Sequence, residues 1–537
     1  MIDDPIRIGV ASGWKALDAA RPDRPREIDA DVAIVGSGAG GGVTAELLAR
    51  AGLAVVILEE GPLMGSSDFH MREREAYPQL YQESAGRQTK NREITILQGR
   101  SVGGSTTVNW TSSFRTPPPT LAHWTSAYGL KTVAPDAMAP WFRMMEERLS
   151  IAPWPVAPNE NNDILRRGCE KLGIPSGAIQ RNVKGCANLG YCGMGCPINA
   201  KQSMLVTTIP AALDRGATLV HRARVVGLEL RGDRVVACEA RGIERNGAPL
   251  LEPRIRVTAR HFVLAAGAIG TPAILLRARA PDPHLLLGKR TFLHPTVVSA
   301  ATMPHKVNPF YGAPQTIFVD HFQSTNVSNA PIGFKLEAAA IHPILGGITL
   351  PGFGEAHSSW MKTLDRGQVT IALLRDGFDP RSTGGRVLLR ADGSPVLDYP
   401  VADYLREGIR RAYLAMAEIQ FAGGAESVRP MHESARPTRS WKDARAMIET
   451  LPMGEMEARI VTAHVMGGCA MGPDARHAVV DESCRHHQLA NLSVHDGSIF
   501  PTSLAANPQL SIYAFTARAT ARLAASLGKA VPGIPAA

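Results

Sequence analysis

The sequence predicts an α/β fold, α+β overall, in which a parallel-sheet domain is interleaved with a second domain built on a largely antiparallel sheet. Three observations predict it. Residues 31–61 have the pattern of strand, helix and strand, and short alternating apolar runs fill residues 218–263. Strand-like runs and loops dominate residues 295–455, where a helical periodicity appears only near residues 402–422.

The first stretch has the form of a Rossmann-type βαβ unit, because a glycine-rich turn joins an apolar strand to a helix. Gly36 permits the tight turn, Gly38 lets a pyrophosphate approach the backbone, and Gly41 lets the helix lie close to the strand. Glu59, at the end of the second apolar run, can accept hydrogen bonds from both hydroxyls of an adenosine ribose. The motif predicts dinucleotide binding but does not choose between FAD and NAD. The alternative is a glycine-rich turn in another α/β domain.

Composition narrows the class of protein. The 537 residues, 45% apolar and 20% charged, suit two packed globular domains, and the net charge of +9 is not concentrated in a basic run. The sequence has no basic stripe with interleaved aromatic residues, which is the pattern that would predict nucleic-acid binding. We find no apolar stretch with the length of a membrane span and no signal-peptide pattern, so we expect a cytoplasmic chain or one peripheral to the inner membrane face.

A second glycine-rich segment is a candidate cofactor loop. It combines the pair Gly103 and Gly104 with the small polar residues Ser105 and Asn109. Backbone without bulky side chains can lie against a flat ring or a pyrophosphate. The alternative is an ordinary turn.

A third segment joins a strand to a helix through small residues. An apolar run ending near residue 264 meets Ala266 and Gly267, and Pro272 is expected in the first turn of the following helix.

The carboxy-terminal part of the sequence carries further chemistry. His464 lies on a small-residue turn, and a strand leads into Asp496 and Gly497. Asn507 and Pro508 are expected to open a long final helix as N-cap and first helical residue.

These segments, in this order, resemble the glucose–methanol–choline (GMC) oxidoreductases. The resemblance covers nearly the whole chain and rests on the βαβ unit together with GRSVGGSTTVN, LAAGAIGTPAILL, HVMGGCAMG, VHDGSIFPTS and ANPQ. It implies FAD as cofactor, and the binding is expected to be non-covalent because the second glycine-rich segment has no histidine. The FAD-binding residues would be Gly36, Gly38, Gly41, Glu59, Gly103, Gly104, Ser105, Asn109, Ala266, Gly267, Asp496, Gly497 and Pro508.

The resemblance also implies interleaved domains. FAD-binding parts are expected at residues 28–116, 201–295 and 456–537, a connecting segment at 117–200, and a substrate domain at 296–455.

The catalytic residues implied by the family are His464 and Asn507, the His–Asn subtype found in cholesterol and choline oxidases. Oxidation of an alcohol removes the hydroxyl proton and transfers a hydride to the flavin N5. A neutral imidazole suits the base role, and the Asn507 amide can hold the alcohol oxygen. The helix start at Pro508 can stabilise negative charge on the reduced flavin.

The seven cysteines do not form the even, spaced set of a secreted disulfide framework. Three of them, Cys186, Cys192 and Cys196, have the spacing C-x5-C-x3-C on a glycine-rich loop. Three thiolates suit a three-iron cluster better than a four-iron one, and zinc would need a fourth donor.

The cysteine segment resembles two GMC branches, the long-chain alcohol oxidases and FAD-dependent glucose dehydrogenase subunits with a three-iron cluster that reduces a cytochrome. Ala187 stands where the latter pattern has a further cysteine. A [3Fe-4S] cluster is therefore one hypothesis, and packed or surface thiols or a disulfide are the others.

We therefore predict an FAD-dependent dehydrogenase or oxidase for an apolar alcohol (long-chain, terpenoid, sterol-like or aromatic). The expected partners are the alcohol and an external electron acceptor (oxygen, quinone or cytochrome), with or without a small partner subunit. The alternatives are a GMC-type lyase or decarboxylase, a sugar dehydrogenase passing electrons through a cluster to a cytochrome, and a non-catalytic electron-transfer or assembly subunit. The presence of both His464 and Asn507 argues against the last, because a relay needs no base.

Overall fold

The computed structural model describes residues 3–21, 26–244, 247–323 and 330–535, with the backbone alone for 251–253. Its α-helices, in chain order, are α1 (Pro5–Ala11), α2 (Ala39–Arg50), α3 (Glu73–Leu80), α4 (Pro118–Tyr128), α5 (Pro135–Arg148), α6 (Glu160–Lys171), α7 (Thr208–Leu213), α8 (Gly267–Arg277), α9 (Pro343–Thr349), α10 (Gly354–Met361), α11 (Asp403–Ala422), α12 (Trp441–Thr450) and α13 (Gln509–Ser526). Short 3-10 turns lie at Ser66–Asp68, Gln82–Ala85, Gly104–Thr107, Cys192–Met194, Leu364–Arg366 and Gly497–Ile499.

The strands, in chain order, are β1 (Lys15–Asp18), β2 (Glu27–Val35), β3 (Val55–Glu59), β4 (Ile94–Ile96), β5 (Ser112–Ser113), β6 (Ile151–Pro153), β7 (Gly177–Ala178), β8 (Gln180–Asn182), β9 (Thr218–His221), β10 (Ala223–Arg231), β11 (Arg234–Ile243), β12 (Pro249–Leu264), β13 (Lys289–Phe292), β14 (Thr296–Thr302), β15 (Ile317–Val319), β16 (Phe334–Ala338), β17 (Gly367–Leu374), β18 (Gly385–Leu389), β19 (Pro395–Asp398), β20 (Ser427–Pro430), β21 (Ile460–Thr462), β22 (Met466–Gly467) and β23 (Leu492–Val494).

One sheet carries the βαβ unit. Its strand order is β1-β9-β3-β2-β12-β11-β10, with β23 beside β12. The pairs among β1, β9, β3, β2, β12 and β23 are parallel, and β11 and β10 continue the sheet antiparallel. In register, Val35 lies opposite both Leu58 and Leu264, and Leu264 lies opposite Val494. The loops that follow β2, β3, β12 and β23 therefore leave the same carboxyl edge.

The second large sheet has the order β4-β21-β14-β17-β16-β15-β7, with β20 beside β14. Its pairs are antiparallel except for β21 with β4, so the predicted fold class is confirmed. Strands β4, β7 and β21 join this sheet from outside residues 296–455. The chain therefore passes repeatedly between the two sheets, and the sharp domain bounds stay a prediction.

Each large sheet has its own apolar core. Helices α2 and α13 pack on one another beside the parallel sheet, whereas α11 packs against β14, β17 and β20 of the antiparallel sheet. The helix predicted near residues 402–422 is α11. Within the described ranges, no helix is long and apolar enough to cross a membrane.

Two helix starts differ from the prediction. Helix α8 begins at Gly267, so that Pro272 lies inside it, because the distant Asp496 carboxylate accepts a hydrogen bond from Gly267 N and caps the helix. Helix α13 begins at Gln509 with Pro508 as N-cap. Asn507 does not cap it, because its Oδ1 accepts no hydrogen bond from the described residues, while its Nδ2 donates to Glu337.

The first turn of α2 lies against the loop after β23 with no room for a side chain. A Cβ atom on Gly40 would lie 1.6 Å from the carbonyl oxygen of His495. A Cβ atom is fixed by its own backbone, and the carbonyl oxygen of His495 is also a backbone atom. No change of side-chain rotamer could therefore relieve the clash.

We expect Gly40→Ala to prevent stable folding, because α2 would have to move off the sheet. Gly227→Ala is the matched control, since a Cβ there meets nothing within 4 Å, and its free energy of unfolding should change by only about 0.5 kcal/mol. Soluble yield and thermal unfolding measure both. A Gly40→Ala protein as stable as Gly227→Ala would contradict the packing described.

Candidate active site

A cavity of about 1200 Å³ runs between the carboxyl edge of the parallel sheet and the face of the antiparallel sheet. Most of the residues predicted to bind the cofactor or act in catalysis line it: Gly36, Gly38, Glu59, Gly104, Ser105, Asn109, Ala266, Gly267, His464, Asp496, Gly497, Asn507 and Pro508. The predicted residues Gly41 and Gly103 are not among its lining residues, and neither are the three clustered cysteines. The fold therefore brings motifs from four distant parts of the chain to one space.

The glycine turns shape one end of the cavity. Gly36 has a φ of 101°, and a Cβ atom on it would lie 2.3 Å from Ala265 O. A Cβ on Gly104 would lie 2.7 Å from Gly38 Cα, so the two glycine-rich loops touch through their backbones. Gly41 has the predicted packing role, since a Cβ there would lie 1.9 Å from Gly36 O.

Helix α2 opens at this end with Gly38 as N-cap and no side-chain cap. Its first N–H groups are therefore available to an anionic ligand, and the helix dipole favours one.

Glu59 is held by the protein as well as lining the cavity. Its carboxylate accepts hydrogen bonds from Ser37 N at 2.9 Å, Ser37 Oγ at 2.6 Å and Gly61 N at 2.7 Å. Ser37 Oγ in turn accepts from Gly103 N at 2.9 Å. Burial raises the pKa of Glu59, and these donors oppose that rise. Ser37, which the motif did not single out, thus ties the two glycine-rich loops to the end of β3.

Glu60 is a second acid at this end that sequence reasoning missed. It lines the cavity, and its Oε1 accepts a hydrogen bond from Arg224 Nη2 at 2.8 Å. Burial alone would raise the pKa of Glu60, but Arg224, Arg87 and Arg100 lower it overall. In the sequence, the only signal for Glu60 was its position directly after the acidic residue Glu59.

Asp496 joins the third segment to the last one. Its Oδ2 accepts from Gly267 N at 2.9 Å and from Thr271 Oγ1 at 2.5 Å, and its Oδ1 accepts from Ser498 N at 2.8 Å. Burial raises the pKa of this carboxyl, and the three donors work against it. The predicted cofactor residues Gly267, Asp496 and Gly497 are thereby fixed as one unit at the cavity wall.

His464 follows β21 and lies at the other part of the cavity. Its backbone N–H donates to Thr462 Oγ1 at 3.1 Å, and its Nδ1 lies 3.3 Å from Nδ1 of His294. The backbone N–H of Ala505 donates to Nε2 of His294 at 3.0 Å, so a neutral His294 carries its proton on Nδ1 and donates it to Nδ1 of His464. A neutral His464 in this contact therefore carries its own proton on Nε2. His294 had no signal in the sequence that set it apart from other histidines.

The protonation of His464 follows from its surroundings. Burial, followed by the positive charge of Lys335, lowers the pKa of His464 to about 3. A pKa so low keeps the imidazole neutral throughout the physiological range, and it also makes the imidazole a weak base in these surroundings.

Asn507 is 5% exposed and donates from Nδ2 to Glu337 Oε2 at 3.2 Å. Behind Glu337, Lys335 Nζ lies 3.4 Å from Oε1. Sequence reasoning missed both charged residues, because an alternating strand such as FKLEA does not reveal which face is buried. The predicted pair His464 and Asn507 thus lines one cavity with a buried ion pair behind it.

The cysteine segment gives no support to an iron–sulfur cluster. Cys186, Cys192 and Cys196 are partly buried free thiols, and across the described ranges no group of three or more His, Cys, Asp or Glu residues could hold a metal ion. The loop is instead secured by the ammonium of Lys201. Its Nζ donates to the carbonyl oxygens of Cys192, Asn109 and Thr107 at 2.6, 2.7 and 2.8 Å.

Comparison with known proteins agrees with these motifs. The amino-terminal and carboxy-terminal models described as GMC oxidoreductase match residues 77–296 and 380–516. An uncharacterised GMC-type oxidoreductase of Mycobacterium tuberculosis is 31% identical over 513 residues, covering 93% of this chain and 78% of the relative. A long-chain-alcohol oxidase of Arabidopsis thaliana is 27% identical over 510 residues, covering 91% and 68%.

Among solved structures, a formate oxidase of Aspergillus oryzae superposes with a TM-score of 0.67 at 15% identity, covering 93% of this chain and 98% of that one. At this sequence identity, the structural similarity shows a shared fold but does not indicate the substrate.

We expect His464 to stay neutral from pH 8 down to pH 5, because burial lowers its pKa to about 3 and protonation begins only as the pH approaches that value. Nuclear magnetic resonance of protein labelled with ¹⁵N-histidine measures this, and His464→Gln identifies the signal by its loss. A His464 signal that titrates near the ordinary histidine value of about 6.5 would contradict the environment described.

Proposed function

The chain belongs to the GMC oxidoreductase family, and on that premise we propose that it uses FAD to oxidise an alcohol with an apolar body, with His464 as the base. The observation that carries the proposal is the wall of the cavity around His464 and Asn507. Its side chains from the antiparallel sheet and its neighbours are chiefly apolar: Val298, Ala339, Ala340, Ile341, Val369, Ile371, Leu373 and Val461. An alcohol with a hydrocarbon body gains most from such a wall.

The cofactor part of the proposal rests on the fit of the other end. There the glycine backbones approach one another, the start of α2 is uncapped, and Glu59 and Glu60 line the cavity. A dinucleotide needs close backbone, free N–H groups for its pyrophosphate and acceptors for its ribose hydroxyls. The formate oxidase of the same fold was solved in a study of its FAD modification, which supports FAD.

Bound FAD would supply the hydride acceptor, flavin N5. The chain's own residues do the remainder. His464 takes the hydroxyl proton of the alcohol at Nε2 when its own proton lies on Nδ1, the tautomer that forms once the contact with His294 opens. Asn507, with one N–H of Nδ2 directed to Glu337, can use the other to hold the alcohol oxygen. The apolar wall keeps water away from the reacting carbon.

Other reactions receive less support. A sugar has hydroxyls on every side and would leave them unpaired against the apolar wall. Electron transfer through an iron–sulfur cluster would need side chains that bind the metal. Within the described part of the chain, no group of three or more His, Cys, Asp or Glu residues could hold a metal ion. An external electron acceptor is still required, and oxygen, a quinone and a cytochrome are the candidates, with or without a small partner subunit.

We expect His464→Ala to bind FAD normally and to lose turnover by a factor of about 10²–10⁴, the usual contribution of a positioned base. Anaerobic bleaching of the flavin bands by an alcohol measures it. His305→Ala is the control, because His305 is an exposed histidine paired with Glu160, and it should bleach at the wild-type rate.

Bleaching of His464→Ala at the control rate would remove His464 from the base role. A wild-type flavin that stays oxidised while an alcohol derivative is cleaved would favour a lyase.

We also expect the specificity constant kcat/KM to rise along a series of straight-chain primary alcohols. Each buried methylene contributes about 0.8 kcal/mol, which is a factor of about four, until the chain fills the cavity. Glucose and glycerol are the polar comparison substrates. A specificity constant that falls with chain length, or that is highest for glucose, would contradict the apolar substrate class.

A further inference from the structure

Two charged side chains lie inside the antiparallel sheet behind the catalytic pair. Lys335 and Glu337 are two residues apart on β16 and so point to the same face. The Lys335 side chain is 4% exposed and that of Glu337 is 0% exposed. Burying two charges costs several kcal/mol for each ion before their attraction is counted, so the position of the pair calls for a physical reason.

The contacts of Lys335 compensate its positive charge. Its Nζ lies 3.4 Å from Glu337 Oε1, 2.9 Å from the centroid of the Phe114 ring and 4.8 Å from that of Phe318. Two aromatic faces and one carboxylate stabilise the ammonium form. Burial lowers the pKa of Lys335 to about 8, while Glu337 and the more distant Asp320 act to raise it.

Glu337 connects this ion pair to Asn507. Its Oε2 accepts the hydrogen bond from Asn507 Nδ2, whereas Oε1 faces Lys335. Burial raises the pKa of Glu337, and the charge of Lys335 and the hydrogen bond from Asn507 oppose that rise. In its ionised form the carboxylate accepts hydrogen bonds and cannot donate them, so it selects the NH₂ side of the Asn507 amide. The reversed amide would set a carbonyl oxygen against a carboxylate oxygen.

The orientation of Asn507 depends on this bond. Among the described residues, Asn507 Oδ1 is buried without a hydrogen-bond partner, so no second contact holds the amide in place. Glu337 is the partner that fixes which end of the amide faces the cavity.

We propose that Glu337 is the positioning residue for Asn507, and that Lys335 keeps Glu337 ionised so that it can perform this role. The inference rests on the proposed function of Asn507 in holding the alcohol oxygen. A charged acceptor holds the amide more strongly than a neutral one, and a rigid donor stabilises the developing charge of a transition state better than a mobile one.

The same lysine acts on the base. The charge of Lys335 lowers the pKa of His464, second only to burial, and it lowers the pKa of His294 after burial and the neighbouring His464. The two histidines face one another, and the Lys335–Glu337 pair is the charged unit behind them. Lys335 thus favours the neutral form of His464 as well as the ionised form of Glu337.

The deciding variant is the double change Lys335→Met and Glu337→Leu, which replaces the ion pair by apolar side chains. Such replacements are often neutral or stabilising when a buried pair is only structural, so the variant is expected to fold and to bind FAD. We expect turnover with the best alcohol to fall about a hundredfold with KM changed less than about threefold, as for loss of one fixed donor.

Single variants test each half of the proposal. Glu337→Gln keeps a neutral acceptor and should lose turnover about tenfold, between wild type and the double variant. Gln420→Met is the matched control, because Gln420 is a buried polar residue of the same domain that bonds to Ser299, away from the cavity. It should lower stability without lowering turnover.

A second readout does not depend on turnover. In the FAD-loaded protein, Lys335→Met should move the ¹⁵N-histidine titration of His464 to higher pH, because a nearby positive charge is removed. If the wild-type flavin is reduced by no alcohol, the proposed function fails while this titration still decides the role of Lys335.

A double variant that turns over within about twofold of wild type would overturn the role of Glu337. An unchanged His464 titration in Lys335→Met would overturn the role of Lys335.

Discussion

The close approach of backbones at the carboxyl edge of the parallel sheet is the constraint on which the rest of the structure depends. Added Cβ atoms would lie 1.6 Å from His495 O at Gly40, 2.3 Å from Ala265 O at Gly36 and 2.7 Å from Gly38 Cα at Gly104. Four segments far apart in sequence can meet there only because side chains are absent. Without that meeting, the glycine turns, Asp496 and His464 would not border a single cavity.

Buried charged groups also hold distant segments of the chain together. The Glu59 and Asp496 carboxylates are each held by three protein donors, and the Lys201 ammonium is held by three carbonyl oxygens. Each of these groups joins segments distant in sequence, and each would be costly to bury without its partners. Lys335 and Glu337 follow the same rule beside Asn507, which donates a hydrogen bond to Glu337. Each of these buried charged groups is therefore bonded to other parts of the protein.

Local patterns in the sequence predicted local structure well. The βαβ unit, with strand β2 ending at Val35, helix α2 ending at Arg50 and strand β3 ending at Glu59, matches its prediction because all its determinants lie within one short stretch of the chain. The two proline-based helix starts were wrong, since α8 begins at Gly267, where a distant Asp496 caps it, and α13 begins one residue later than predicted, at Gln509, with the Asn507 side chain bonded to Glu337. Ser37, His294, Lys335 and Glu337 could not be found, because their roles depend on partners brought together by the fold. The spacing of three cysteines suggested a cluster, but spacing does not fix the directions of the thiols.

The measurement that tests the central claim most directly is the deuterium isotope effect on anaerobic flavin bleaching by a long-chain primary alcohol. With two deuterium atoms on the carbinol carbon, stopped-flow absorbance would report whether that carbon–hydrogen bond breaks as the flavin is reduced. We predict bleaching by the unlabelled alcohol and a several-fold slower bleaching by the deuterated one. A flavin that this alcohol does not bleach would contradict the account, and so would bleaching at equal rates for both isotopologues.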